Sequence, residues 1–311
     1  KIVMMILKDV LKLPTALLCT VKKNIAHISI ILLSIFCQTS LSAQEKFDLE
    51  QRSGYFYFKA SINDTPAELM LESGIPALLV GDDIYETSLK SSDLIFETSK
   101  GKMRLLNKLY DIVYRAEGEV AIGNALYVGP IFILQDYDGV SIPIQYLKDA
   151  DTRKSVVTID LNNKYLLIGE PEGKPTGKKY KLSFDKELGF PVISAKVDIT
   201  TPEGKAKLNG SLIVDFGNPS LLFLRKQHKS IEKAIAKKNI ELKDAYDKQG
   251  NLIAQGIYAK TVSMLGHQYS DISIGVTDKM QNLSHLGFLG IPFFSTSVVF
   301  DFDKGYMIVH P

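Results

Sequence analysis

Cysteine is nearly absent from this chain. Its 311 residues include two, Cys19 and Cys37, and both fall within the first 43 positions. The remainder has no disulfide and no thiol chemistry, so its stability must come from core packing. Long apolar runs are scarce. The best candidate, residues 25–37, is too short for a comfortable membrane span. Low-complexity blocks are missing, and a chain 45% hydrophobic and 23% charged reads as globular, with room for two ordinary domains. Several catalytic signatures are missing too. The stretch GEPEGKPTGKK lacks phosphate-loop spacing, and no GxSxG elbow occurs. The DFG at Asp215–Gly217 has no accompanying Gly-rich loop, strand lysine or HRD segment. His228, His267, His285 and His310 are scattered without metal-ligand pairing, so neither a metal nor a cofactor is expected.

What is present begins with residues 1–43. Lys22 and Lys23 precede the apolar run, QTSLSA follows it, and polar chain starts at Gln44. That order is a secretory signal, with cleavage expected after Ala43; a membrane-anchoring helix is the alternative. The expected product is exported to the periplasm, cell envelope or medium, monomeric, with no stable membrane span. The segment carries a net charge of +4 and the whole chain +2, leaving −2 for the rest. A weakly acidic exported domain is a poor candidate for nucleic-acid binding.

The remaining chain repeats itself. AELML runs into Glu72-Ser73-Gly74 and then IPALLV; SLIV runs into Asp215-Phe216-Gly217 and then NPSLLFL. The two acids are 143 positions apart, as are Gly123 and Gly266, while Asp160/Asp301 and Tyr165/Tyr306 are 141 apart. Four ordered landmarks with so little drift indicate one unit used twice. The expected division is a first lobe at 44–170, a Pro/Gly/Lys-rich linker at 171–180 and a second lobe at 181–311. Each lobe reads as short strands, with a hairpin turn at Asn63-Asp64-Thr65-Pro66 and two strands around Lys100-Gly101. That second pair is either a flap or a plain surface hairpin. Residues 225–246 have helical spacing and one modest apolar stripe.

A carboxylate between apolar runs, followed two positions later by glycine, suggests a strand ending in a tight loop. Ionised alone in an apolar setting the acid is costly. Two lobes related by a pseudo-twofold bring Glu72 and Asp215 together, where they share one proton. Such a pair can hold a water, take its proton and donate to a carbonyl oxygen. Over residues 50–311 the chain resembles the pepsin/retropepsin-like aspartic peptidases. The resemblance rests on LIVDFG, AELMLESG and the closing stretch LGFLGIPFFSTSVVFDFDKGYMIVHP, with Phe288-Leu289-Gly290 as the segment behind the catalytic loop. It implies an all-β fold of two pseudo-twofold-related β-barrel lobes with a few short helices. It also implies a cleft for an extended peptide or protein substrate, a covering flap and no metal.

The sequence departs from that family in three places. Glu72 lengthens the first acid by one methylene, although Ser73 and Gly74 keep the hydroxyl and the glycine. Phe216 replaces the second hydroxyl between Asp215 and Gly217. Ile142-Pro143 stands where the second lobe has Leu289-Gly290. Two functions follow as expectations: acid-shifted peptide hydrolysis by a Glu72/Asp215 pair, or an inactive relative whose cleft binds a peptide or envelope partner. Asp160 and Asp301 are expected to be hairpin residues.

Overall fold

Alternation of apolar and polar residues makes this chain a set of strands. In PVISAKVDIT, Ala195, Val197 and Ile199 are buried while Lys196 and Asp198 face solvent. The computed structural model describes residues 45–105, 108–246, 252–278 and 283–310; the signal-like segment at 1–43 and its expected cleavage point lie outside the described residues. Among the described residues no helix is long and apolar enough to cross a membrane.

The first half carries β1 (Glu45–Arg52), β2 (Tyr55–Ile62), β3 (Thr65–Glu72), β4 (Leu78–Gly81), β5 (Glu97–Leu105) and β6 (Lys108–Ile122). It continues with β7 (Ala125–Leu134), β8 (Val140–Pro143), β9 (Leu147–Asp149), β10 (Val156–Asp160) and β11 (Tyr165–Ile168). The second half carries β12 (Lys178–Lys181), β13 (Ser183–Phe184), β14 (Pro191–Thr200), β15 (Lys205–Val214), β16 (Leu222–Arg225) and β17 (Lys243–Tyr246). It ends with β18 (Leu252–Met264), β19 (His267–Thr277), β20 (Gly287–Leu289), β21 (Ser297–Asp301) and β22 (Tyr306–Val309).

The two halves have one topology. In the first, β3 lies parallel to β8, β8 antiparallel to β4, and β4 parallel to β7. In the second, β15, β20, β16 and β19 repeat those relations in the same order. The expected all-β, two-lobed architecture is therefore what the structure shows. A six-stranded antiparallel layer, ordered β12-β22-β21-β10-β11-β1, joins the lobes. At its centre Val156 pairs with Asp301 and Asp160 with Ser297. Moving one pair by the 141-residue repeat generates the other, so the seam is its own image. Asp160 and Asp301 close equivalent hairpins there, opposite Tyr165 and Tyr306. β12 takes up the end of the stretch read as a linker and pairs with β22.

Two local expectations need correction. The helix runs only from Lys229 to Ala236, capped by the His228 side chain, which accepts the Ser230 N–H. Beyond it Lys238 adopts a positive φ of 56°, and the chain returns as β17. Ile240 and Leu242 alternate with polar residues, a period that suits extended chain. Lys100-Gly101 is no turn either. It lies within β5, where a bulge falls between Thr98 and Gly101, and the strand pairs with β6 on both sides of it, from Glu97 opposite Arg115 to Leu105 opposite Lys108. Ser99 Oγ accepts the Gly101 N–H at 3.1 Å, a local turn signal that does not reverse the chain.

Candidate active site

Glu72 ends β3 and Asp215 follows β15 directly. On β3, Leu69 and Leu71 are fully buried in the main core, which turns Met70 and Glu72 to the other face. Both strands meet at the pseudo-twofold, and the two carboxyl groups come within hydrogen-bonding reach of each other. The glycines make this approach feasible. A Cβ on Gly74 would stand 2.6 Å from Asp215 Cγ, and one on Gly217 would overlap the Glu72 carboxylate. Each loop thus gives its own glycine to the opposite lobe's acid.

Backbone donors and burial set the charge of the pair. Gly217 N–H donates to Asp215 Oδ1 at 2.9 Å. Burial pushes the Asp215 carboxyl up to about 6, with the Gly217 N–H, the Glu72 hydrogen bond and the Gly74 N–H holding it down. Glu72 is driven well above the usual carboxylate range, first by burial and then by the Asp215 charge and the bond between them. Both carboxyls are thus raised together, and one proton held by the pair is favoured over two bare charges.

Ser73 ties the lobes together beneath the acids. Its hydroxyl donates to Val214 O at 2.8 Å and accepts the Phe216 N–H at 2.9 Å. Phe216 cannot return these bonds. Its ring is instead fully buried, stacked on Phe294 at 4.8 Å and edge-on to Phe300 at 5.9 Å. Replacing Ser73 by Ala strands two buried backbone groups and is expected to cost about 2 kcal/mol. A fall in the urea midpoint at unchanged slope would show it.

Gly290 and Pro143 occupy matching places behind the loops. β15 pairs with β20 up to Leu289, and β3 pairs with β8 up to Glu72 opposite Pro143. A Cβ on Gly290 would collide with the carbonyls of Asn218 and Ser220. In the second lobe the Ile291 N–H reaches Asn218 O at 3.0 Å. In the first, the side-chain amide of Gln145 reaches Ile75 O at 3.2 Å and supplies that donor. Sequence reading missed Gln145, because a glutamine beyond a strand has no periodic signature.

Also missed was an aromatic partner for each acid. Continuing the β2–β3 ladder, in which Tyr57 faces Met70, places Tyr55 opposite Glu72. Continuing the β14–β15 ladder, in which Val192 faces Ile213, places Phe190 opposite Asp215. Burial and the Glu72 charge raise the Tyr55 phenol. The preceding glycines both have positive φ and cross to the other lobe, Gly54 against Pro219 and Gly189 against Tyr146.

Apolar clusters flank the pair on both sides. Beside Glu72 lie Ile75, Ala77 and Leu79, with Met103, Leu105 and Tyr110 packed on them from the β5–β6 hairpin. Beside Asp215 lie Phe190, Val192 and Ile213, with Leu188, Leu283 and Phe288. A cavity of about 460 Å³ lined by Lys179, Lys181, Ser183 and Ser194, among others, includes neither acid. Among the described residues no group of three or more His, Cys, Asp or Glu could hold a metal ion.

No known family profile matches the chain, and no curated protein matches it. Its architecture is similar to the crystal structure of the aspartic proteinase from Irpex lacteus, with a TM-score of 0.52 at 10% identity, covering 85% of this chain and 96% of that one. The fold is pepsin-like. At that identity the likeness fixes the architecture alone. What this pepsin-like chain does depends on its own Glu-Ser-Gly and Asp-Phe-Gly loops.

Proposed function

We propose that this chain hydrolyses peptide bonds with the Glu72/Asp215 pair. The observation carrying this reading is the meeting of the two carboxyls at the pseudo-twofold. Asp215, ionised, takes a proton from a water as its oxygen attacks the substrate carbonyl carbon. Glu72 gives its proton to the carbonyl oxygen, producing a tetrahedral diol. Collapse then breaks the C–N bond. The proton on Asp215 passes to the leaving nitrogen, and Glu72 recovers one from a hydroxyl.

The two apolar clusters favour a substrate with large apolar side chains on both sides of the scissile bond. In this reading the β5–β6 hairpin, which shares an apolar cluster with Ile75 of the first loop, is the flap that excludes water. Ionic or phosphate recognition has no part in this reading.

The alternative, a groove that binds peptide without cutting it, draws support from the longer Glu72 arm. It reaches Asp215 directly and competes with a bridging water.

The pH profile tests the hydrolytic reading. With Asp215 raised to about 6, this reading expects an optimum nearer neutrality than the acid-shifted one expected from the sequence. Below about 6 both carboxyls are protonated, so initial rates should rise as the pH passes upward through about 6. They should fall again only where Glu72, held well above its ordinary value, ionises. Stopped assays on an unfolded protein from pH 3 to 9 would show this bell. A rate that peaks near pH 3, or no turnover anywhere, rejects this assignment of the pair. Full turnover in the Glu72→Gln/Asp215→Asn double variant rejects it outright.

A further inference from the structure

Three polar side chains outside the acid pair form a continuous hydrogen-bonded line. His285 Nε2 lies 2.9 Å from Asp185 Oδ2, and His285 Nδ1 lies 2.7 Å from Ser211 Oγ. Asp185 Oδ1 also accepts the N–H groups of Glu187 and Leu188, at 3.0 and 2.8 Å. The His285 bond and those donors hold its carboxyl below the usual range. Its anion fixes the proton on Nε2, leaving Nδ1 to accept from the Ser211 hydroxyl.

The residue types suggest a nucleophile, but the setting does not. Ser211 sits within β15, paired with Ser194, and its carbonyl accepts the Leu286 N–H at 2.8 Å. A serine nucleophile is presented on a sharp turn, with free N–H donors beside it. Mid-strand, Ser211 has neither.

The connectivity points elsewhere. Asp185 opens the β13–β14 turn, Ser211 lies on the strand leading to Asp215, and His285 lies just before β20. That turn carries Leu188 and Phe190, and the His285 segment carries Leu283. All three belong to the apolar cluster beside Asp215. One buried imidazole therefore holds together the two loops that make this wall. Phe190 stands opposite Asp215, so a small swing of the turn changes the space next to the acid.

We propose that the Asp185–His285–Ser211 clasp is a specificity device, which fixes the Phe190 turn against β15 and so shapes the wall that receives the substrate side chain on the Asp215 side of the scissile bond. The proposal rests on the peptidase reading above. His285 is a positioning residue, since it acts through Leu188 and Phe190 and touches neither acid. Glutamine at 285 can accept from Ser211 and donate to Asp185, whereas alanine can do neither.

The test uses the whole chain as wild type, His285→Ala and His285→Gln, with two peptides differing only in Phe or Ala at the position that meets this wall. His285→Ala is expected to raise KM for the Phe peptide about tenfold, to leave the Ala peptide within about twofold, and to leave kcat nearly unchanged. His285→Gln should restore the Phe preference. Amide hydrogen exchange at Glu187–Phe190 should quicken in the Ala variant and recover in the Gln variant. Equal KM changes for both peptides, or unchanged exchange in the Ala variant, overturn the proposal. Should wild type cleave neither peptide, the peptidase reading fails. The clasp is then judged by calorimetric binding of uncleavable hydroxyl-bearing mimics of the same two peptides. Loss of the Phe-over-Ala preference in His285→Ala supports it, and no preference in wild type sinks it.

Discussion

Asp215→Asn is expected to abolish hydrolysis while making the folded chain more stable at pH 8. The loss follows from removing the base, and general acid–base groups contribute roughly 10²–10⁴ in rate. The gain follows from the sign of the pKa shift. Asp215 titrates near 3.8 when unfolded and about 6 when folded. Its folding contribution is complete below the unfolded value and is lost as pH rises through the folded one. At pH 8 the native state therefore holds an anion that burial disfavours, at a cost of order 3 kcal/mol. Asparagine removes that charge and keeps a group that can accept the Gly217 N–H. Thermal unfolding of wild type and variant at pH 4 and pH 8 checks the claim. The variant should melt several degrees higher at pH 8, with the gap narrowing at pH 4. A variant that melts lower at pH 8 would show that the charge is well solvated and that the proton-sharing picture is wrong.

Phe216→Thr is expected to cost about 3–5 kcal/mol and to restore nothing. On sequence alone this change looks like a repair, because the related loops carry a hydroxyl there. The structure reverses that expectation. The Phe216 ring fills the core against Phe294 and Phe300, and a threonine leaves most of that volume empty. Ser73 already supplies one cross-lobe bridge, through Val214 O and the Phe216 N–H. With total stabilities of about 5–15 kcal/mol usual for a domain, the variant should show a much lower denaturant midpoint. A variant as stable as wild type would mean the aromatic cluster is loosely packed. The informative repair is Glu72→Asp alone, which withdraws one carboxyl by a methylene and makes room for a bridging water.

Both acid loops are legible in the amino-acid sequence itself. The strand–acid–x–Gly unit at 72 and at 215 marks them, because a duplicated pattern survives when its individual residues drift. The seam strands are legible through Asp160/Asp301 and Tyr165/Tyr306 for the same reason. A third echo, Gly54-Tyr55 against Gly189-Phe190, is also in the sequence. It recurs at an offset of 135, out of step with the others because the β14–β15 hairpin has longer arms and a longer turn than the β2–β3 hairpin. The rest depends on three-dimensional placement. Gln145 standing in for a backbone donor, and His285 joining two loops, involve partners 70 and 100 positions away, respectively. Lys100-Gly101 misleads for a local reason, since a serine hydroxyl satisfying an N–H imitates a hairpin without bending the strand back.

The self-complementary register between β10 and β21 bears on how such a molecule can be assembled. Each half offers its twin the same edge, so a half is equipped to associate with an identical copy. Two copies of the first half would confront glutamate with glutamate, and two of the second, aspartate with aspartate. Residues 171–176 connect the halves without belonging to that shared edge. Their service is stoichiometric: a covalent tether guarantees one acid of each length at every seam.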